Sequence, residues 1–428
     1  MIGSAAQNVI TLSDSVFLYH VGESDFAAIG FVGVFYLIIM AIGYGFSRGG
    51  QILVARRCGE GEYKRAGSTF YSMLYFEIIL ALFFFLFIVF GCPYFFRLFV
   101  DTEIIYQKSL EYLKYRAFGV FPAFIGVSLI AFYTGIARTK IILYDTIVLI
   151  IVNIVLNYGL IFGHWGLPEM GISGAGLAST LAELAALVVF SIYMFFDRAL
   201  RPFRLLKIQR LDSSLIRSNF RIASPIVAQA VVGLGSWFFF FAIIENMGQR
   251  ELAISNLARV VYLVLSIPCW GYSVGVNTLV SNFIGQNQME NVWQAIKKTM
   301  IICVGSTLLL AIPVLLFPQY LLYPFLGSED MSLFVDAQPI FYILFVILTL
   351  FSVGGIYFNG MAGTGATLAG LRIQAICVVF YVILIYILVN YFKVSLTTAW
   401  SIEVFYWLPL IYLVHMYMTG EKWKLLQV

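Results

Sequence analysis

Residues 26–59 read FAAIGFVGVFYLIIMAIGYGFSRGGQILVARRCG, and 226 positions further on residues 252–285 read LAISNLARVVYLVLSIPCWGYSVGVNTLVSNFIG. Laid over one another without a gap, they share Ala27/Ala253, Val34/Val260, Tyr36/Tyr262, Leu37/Leu263, Gly45/Gly271, Ser47/Ser273, Gly49/Gly275, Leu53/Leu279, Val54/Val280 and Gly59/Gly285. Each copy is apolar for well over the roughly 20 residues that a helix needs to cross a bilayer. A second match sets Gly135-Ile136-Ala137-Arg138-Thr139 over Gly360-Met361-Ala362-Gly363-Thr364. The duplicated unit is therefore a set of membrane helices, and the chain consists of two halves in parallel orientation.

Composition agrees. Of the 428 residues 61% are hydrophobic and 11% charged, against about 25% charged in soluble domains. Hydropathy predicts an all-α polytopic membrane protein with twelve transmembrane helices in two pseudo-symmetric six-helix lobes. The spans fall at 2–21, 26–55, 68–91, 116–137, 141–163 and 172–196, then 219–245, 252–282, 297–326, 339–361, 370–392 and 398–418. Residues 1–196 make the N-lobe, 197–217 a basic cytoplasmic linker with Arg198, Arg201, Arg204, Lys207 and Arg210, and 218–428 the C-lobe.

Most of the 26 lysines and arginines lie in alternate connections, among them Arg56, Arg57, Lys64, Arg65, Arg138, Lys140, the linker, Lys297, Lys298, Arg372, Lys422 and Lys424. The other side carries Glu23, Asp25, Asp101, Glu103, Glu169, Glu251, Glu329, Asp330 and Asp336. By the positive-inside rule both termini are cytoplasmic. No signal peptide is visible at the start: a basic region and a small-residue cleavage site are both missing. The repeat would place the beginning of span 7, near Phe220, ahead of Met1. Helix 1 is therefore expected to lack its first turns, and a start lying upstream is preferred to a short helix.

Composition and motifs also exclude. A formal charge of +4 does not suggest nucleic acid. The five cysteines (Cys58, Cys92, Cys269, Cys303, Cys377) are scattered and read as small apolar residues, not disulfides or metal ligands. The three histidines stand far apart, and no HExxH, Walker loop or nucleophile elbow occurs. An ATP-driven pump or an intramembrane hydrolase has no support. No enzyme activity and no cofactor are expected.

A few polar residues lie inside apolar spans. Asp14 stands well within the first. A charge near the bilayer midplane costs at least ~2.5–3.5 kcal/mol, so such residues usually line a cavity or pathway. The other reading is a solvated acid near a helix end. Gln7 and Thr11 share its face, seven and three residues earlier. In span 5, Asn153 and Asn157 are four apart on one face. Such amides serve as helix–helix glue or as cation ligands, and a hard cation needs several oxygens. Asp14, the two amides and a hydroxyl from Ser179 or Thr180 would supply them. Glu183 is a second acid in span 6, either a proton carrier or a helix–helix contact. Arg48 can snorkel or pair with Glu77, and Glu403 is isolated. Trp237, within Trp237-Phe238-Phe239-Phe240-Phe241, can line a cavity for flat lipophilic cations or simply pack the core.

Several stretches resemble the multidrug and toxic compound extrusion (MATE) family of antiporters. They are Asp14-Ser15-Val16-Phe17-Leu18-Tyr19-His20-Val21-Gly22-Glu23 followed by Ala27-Ala28-Ile29-Gly30, then Gly285-Gln286-Asn287 with its degenerate copy Arg57-Cys58-Gly59-Glu60-Gly61, Gly135-Ile136-Ala137-Arg138-Thr139, and Gly171-Ile172-Ser173-Gly174-Ala175-Gly176-Leu177-Ala178. The likeness covers essentially the whole chain. It implies two six-helix lobes that alternate between inward- and outward-open states, exporting drugs or lipophilic, cationic small molecules in exchange for H⁺ or Na⁺. Asp14 matches the family's coupling carboxylate, Asn153 the asparagine beside it and Ser179 a hydroxyl of span 6. Asn157 falls where many members have a second acid. A Na⁺ ion would be held by Asp14, Asn153 and Asn157. Gln7, Thr11, Glu183 and Trp237 are the candidate substrate-cavity residues. In span 7, Phe239 and Phe240 occupy the region where some members keep a glutamate. The expected setting is a monomer among membrane lipids of a bacterial inner membrane, with an organic substrate and no nucleic-acid partner. The competing reading is a lipid-linked oligosaccharide flippase of the same superfamily.

Overall fold

The computed structural model describes residue 10 and residues 13–100, 102–205, 207, 209, 212–316 and 331–426. Every regular element among them is helical. The first is α1, residues 13–19. Then come α2 (Glu23–Gly59), α3 (Tyr63–Phe96), α4 (Glu103–Gly135), α5 (Lys140–Phe162) and α6 (Gly171–Phe196). The second set is α7 (Ser213–Glu245), α8 (Gln249–Leu265), α9 (Ile267–Gly285), α10 (Met289–Leu316), α11 (Met331–Gly363), α12 (Thr367–Asn390), α13 (Leu396–Ser401) and α14 (Val404–Thr419). Among the described residues ten helices are long and apolar enough to cross a membrane, or eleven when the bent pair α8 and α9 counts as one. Half of predicted span 1, residues 2–9, 11 and 12, lies outside the described residues.

The helices overrun the predicted spans. Helix α2 has 37 residues, about 55 Å at roughly 1.5 Å each, against a hydrocarbon core of about 30 Å. Hydropathy marks only the part suited to hydrocarbon. Backbone hydrogen bonding carries the helix on into the aqueous flank, where Glu23 and Asp25 in the first turn and Arg56 and Arg57 in the last suit the helix dipole.

The repeat is visible in the helix boundaries. Helix α2 spans Glu23–Gly59, and α8 with α9 spans Gln249–Gly285, 226 residues on at both ends. The turns that follow also correspond: Gly61 (φ 76°) and Asn287 (φ 58°) both take the left-handed conformation that glycine and asparagine tolerate. The copies differ in one respect. The second bends by 43° at Ser266, because Pro268 lacks an N–H and crowds the carbonyl one turn back. The first copy has Ile42 there and runs straight on. Proline also marks the irregularity of α3, where a π-turn at Phe87–Gly91 precedes Pro93.

The chain divides into two compact units, Ile2–Ser224 and Pro225–Val428. In the first, α4 packs against α2 and α6, and α6 against α5. Small residues on α6 permit this. A Cβ on Gly174 would lie 2.6 Å from the Leu160 carbonyl oxygen of α5, and one on Gly176 would run into the Tyr112 carbonyl of α4. Part of the expected linker is folded onto this unit. Residues Arg198–Phe203 form a 3₁₀ turn capped by Asp197. Phe203 packs on Phe132 and Tyr63, with ring centroids 5.4 Å apart in both cases. Tyr71 donates to the Leu205 carbonyl, and Tyr75 to that of Gln209 at 2.8 Å.

In the second unit α11 is central, packed by α9, α10 and α14. Helices α7 and α12 are tied by two amides: Gln229 donates to the Thr367 carbonyl at 2.8 Å and Gln374 to the Gln229 carbonyl at 3.1 Å. The last predicted span is broken between α13 and α14, and Glu403 sits in the break, buried. Phe240 packs on Trp400 at 5.0 Å.

Candidate functional site

Asp14 and Leu18, four apart in α1, share one helix face, and Ile10 lies four residues before Asp14. All three are buried. Ile10 packs with Leu149, Ala182 and Ala186, and Leu18 joins the core that α2 and α4 build. These contacts fix α1 and turn the intervening carboxylate inward, where Asp14 is 0% exposed.

Three helices supply its partners. From α5, Asn157 Nδ2 donates to Asp14 Oδ1 at 2.8 Å and Asn153 Nδ2 at 3.2 Å. From α6, Ser179 Oγ donates to Oδ2 at 2.8 Å. From α4, the Tyr112 hydroxyl donates to Oδ2 at 3.2 Å. The donors are themselves connected: Asn153 Nδ2 lies 3.0 Å from Ser179 Oγ, and Asn157 Nδ2 lies 3.3 Å from both Asn153 Oδ1 and Ser13 Oγ. The close approach of α6 to α4 and α5, through Gly174 and Gly176, brings these side chains within reach of one carboxylate.

All four donors are neutral. They satisfy the carboxylate oxygens but bring no opposite charge into contact with it, and a buried charge is stable only with a proton or a cation to balance it. One acceptor in the cluster is idle: Asn157 Oδ1 is buried with no hydrogen-bond partner. Buried polar atoms are nearly always paired. An amide oxygen left open beside a carboxylate suits a hard cation or, after rotation of the amide, the hydroxyl of a protonated Asp14.

Of the residues singled out in the sequence, Asp14, Asn153, Asn157 and Ser179 come together here. Gln7 and Thr11 lie outside the described residues. Glu183 is one turn along α6 from Ser179 and forms an ion pair with Arg116 of α4, Nη1 to Oε2 and Nη2 to Oε1 both at 2.6 Å. Trp237 belongs to the second unit, its ring 5.1 Å from Tyr262 and 5.7 Å from Phe241. Glu77 accepts from Ser47 at 2.8 Å, where the sequence suggested Arg48 as its partner. No group of three or more His, Cys, Asp or Glu able to hold a metal occurs among the described residues.

Sequence reasoning missed Tyr112 and Arg116. Both fall at or before the start of the predicted span at 116–137. Their signal was the spacing: Tyr112 and Arg116 are four apart, like Asn153 and Asn157 and like Ser179 and Glu183.

A multi-pass helical bundle that buries a hydrogen-bonded acid among its helices defines a polytopic membrane protein. The family model described as MatE matches residues 1–159 and 225–387, well over half the chain. The chain belongs to this family, the MATE transporters. It is 26% identical over 332 residues to a probable multidrug resistance protein NorM of Synechocystis sp., covering 76% of this chain and 70% of that one. With a protein of the same name from Agrobacterium fabrum it shares 26% identity over 412 residues, covering 92% and 83%. In fold it is similar to a crystal structure of MATE in the straight conformation, with a TM-score of 0.88 at 19% identity over 98% of this chain and 94% of the other.

Proposed function

We propose that the protein is a secondary active transporter of a bacterial inner membrane. It exports drugs or lipophilic, cationic small molecules in exchange for H⁺ or Na⁺ by alternating access of two six-helix lobes. Asp14 is the coupling carboxylate, with Asn153, Asn157 and Ser179 as its partners. The observation that carries this reading is the burial of one acid among donors that are all neutral, so that its charge is left for an exchangeable cation. The names of the relatives, probable multidrug resistance proteins, support the substrate class.

Coupling needs only a difference in affinity between two states. A proton or sodium ion on Asp14 changes the packing of α1 and disfavours substrate; loss of the ion restores it. Substrate and ion thus compete through one site, and no cofactor beyond the ion takes part. The protein works as a monomer, with both termini cytoplasmic. The flippase reading calls for free basic groups facing a pyrophosphate. Arg116, buried within the first unit, is committed to Glu183.

The test is export of a lipophilic cation from vesicles under separately imposed pH and sodium gradients, with wild type and Asp14→Asn. The expected result is that the variant reaches the membrane folded and loses gradient-driven export. Full export by Asp14→Asn would overturn the assignment.

A further inference from the structure

Helices α4 and α6 face each other through two matching rungs. Tyr112 and Ser179 form the first and hold Asp14 Oδ2 at 3.2 and 2.8 Å. Four residues further along each helix, Arg116 and Glu183 form the second. One helical turn, about 5.4 Å, separates the rungs. Arg116 is 1% exposed and Glu183 5%.

The second rung is a built site. Both terminal nitrogens of Arg116 bond the two Glu183 oxygens at 2.6 Å, a fork-to-fork geometry. The guanidinium also lies over the Tyr36 ring of α2, 3.9 Å from its centroid. Gly119 makes room for it. A Cβ there would collide with Arg116 Nη1 and lie 2.8 Å from Thr180 Oγ1 and 3.0 Å from Glu183 Oε2.

Such an arrangement poses a problem for a coupling acid. An arginine keeps its charge, and one turn away lies a buried carboxylate with no cation of its own. A guanidinium paired with Asp14 would be a permanent occupant, competing with any ion that must come and go. The Glu183 carboxylate and the Tyr36 ring hold it elsewhere. The geometry points to Glu183 as a positioning residue that sequesters Arg116, so that Asp14 stays open to an exchangeable cation. This rests on the reading of Asp14 as the coupling carboxylate.

The inference separates two variants that a purely structural role would not. Glu183→Gln frees the guanidinium to occupy Asp14; Arg116→Gln/Glu183→Gln removes the trapped charge and leaves two amides able to bond each other. Each is reconstituted in vesicles and checked for a single symmetric peak in gel filtration. Gradient-driven export of a lipophilic cation is then measured beside Asp14→Asn. Glu183→Gln is expected to lose roughly ten-fold or more of export. The double variant is expected to recover to within about three-fold of wild type, a non-additive pair. A well-folded Glu183→Gln with wild-type export overturns the inference, and so does a well-folded double variant without export. If Glu183→Gln does not fold, the double variant decides alone. Gradient-driven export by Asp14→Asn would instead strike at the coupling assignment.

Discussion

Asp14 receives four hydrogen bonds from Asn153, Asn157, Ser179 and Tyr112, and none of the donors is charged. Asn157 matters most among them, because it gives the shortest amide contact and holds the one idle oxygen. Replacing it therefore distinguishes the two ions. Asn157→Leu removes a donor to Oδ1 and an oxygen ligand together. A carboxylate that loses a donor holds a proton more tightly, whereas a sodium ion that loses an oxygen is held less tightly. For sodium coupling, half-maximal export is expected to need roughly ten-fold more sodium, a change of about 1.4 kcal/mol. For proton coupling, half-maximal export moves instead to higher pH. Titration of export against each ion in turn reads the outcome, and a variant unchanged in both would remove Asn157 from the site. At this scale the sequence was informative for the acid, the two amides and the serine, because each is a polar residue inside an apolar span. Tyr112 was not visible that way. Tyrosine is common in this chain, and among its 26 copies the four-residue spacing from Arg116 was the sequence signal for Tyr112.

What holds these side chains within 3.2 Å of Asp14 is the packing of helix backbones. Gly176 of α6 lies against the Tyr112 carbonyl of α4, so the residue that offers a hydroxyl to Asp14 also supports the helix that carries Ser179. Gly176→Val forces α6 away from α4. The expected cost is about 1–3 kcal/mol, read as a lower midpoint of thermal unfolding in detergent together with lost export. Gly305 of α10 is the contrast. Nothing lies within 4 Å of a Cβ placed there, and an alanine at a helix interior gains roughly 0.5–1 kcal/mol over glycine. Gly305→Ala is therefore expected to raise the midpoint slightly and leave export unchanged. Equal effects of the two substitutions would mean that backbone contact does not set the site. Element boundaries show where a sequence stops being informative. The 226-residue repeat matches α2 and its counterpart at both ends, although hydropathy placed the two spans at 26–55 and 252–282 and missed their outer turns. The bend at Ser266 was not anticipated, although Pro268 was in view, since a hydropathy window averages over a missing hydrogen bond. The break at Glu403 has no proline to announce it.

Across the described helices one pattern recurs: lysines and arginines gather at one end of many of them. Helix α2 begins with Glu23 and Asp25 and ends with Arg56 and Arg57. Helix α3 begins beside Lys64 and Arg65, α5 begins with Lys140, α7 passes Arg217 and Arg221 in its first turns, and α10 carries Lys297 and Lys298. Helix α12 has Arg372 near its start, and α14 leads to Lys422 and Lys424. Taken in order, with α8 and α9 as one crossing and α13 and α14 as another, these basic ends alternate, while Arg97, Arg250 and Lys393 lie toward the opposite side. Residues left outside the description do not enter this count. The positive-inside rule then predicts the His164–Gly166 turn outside and the Glu421–Leu425 turn in the cytoplasm. Both turns are accessible: Trp165 is 67% exposed, and Lys424 is exposed at the end of the last helix. Single cysteines at these positions, in a background with Cys58→Ser, test the arrangement in intact cells. Trp165→Cys is expected to react with a membrane-impermeant maleimide from outside. Lys424→Cys is expected to react only after the membrane is opened. The reverse labelling would invert the topology, and with it the side from which the coupling ion reaches Asp14. Labelling of both positions from outside would break the alternation itself, since an odd number of crossings, α6, α7, α8 with α9, α10, α11, α12 and α13 with α14, lies between them.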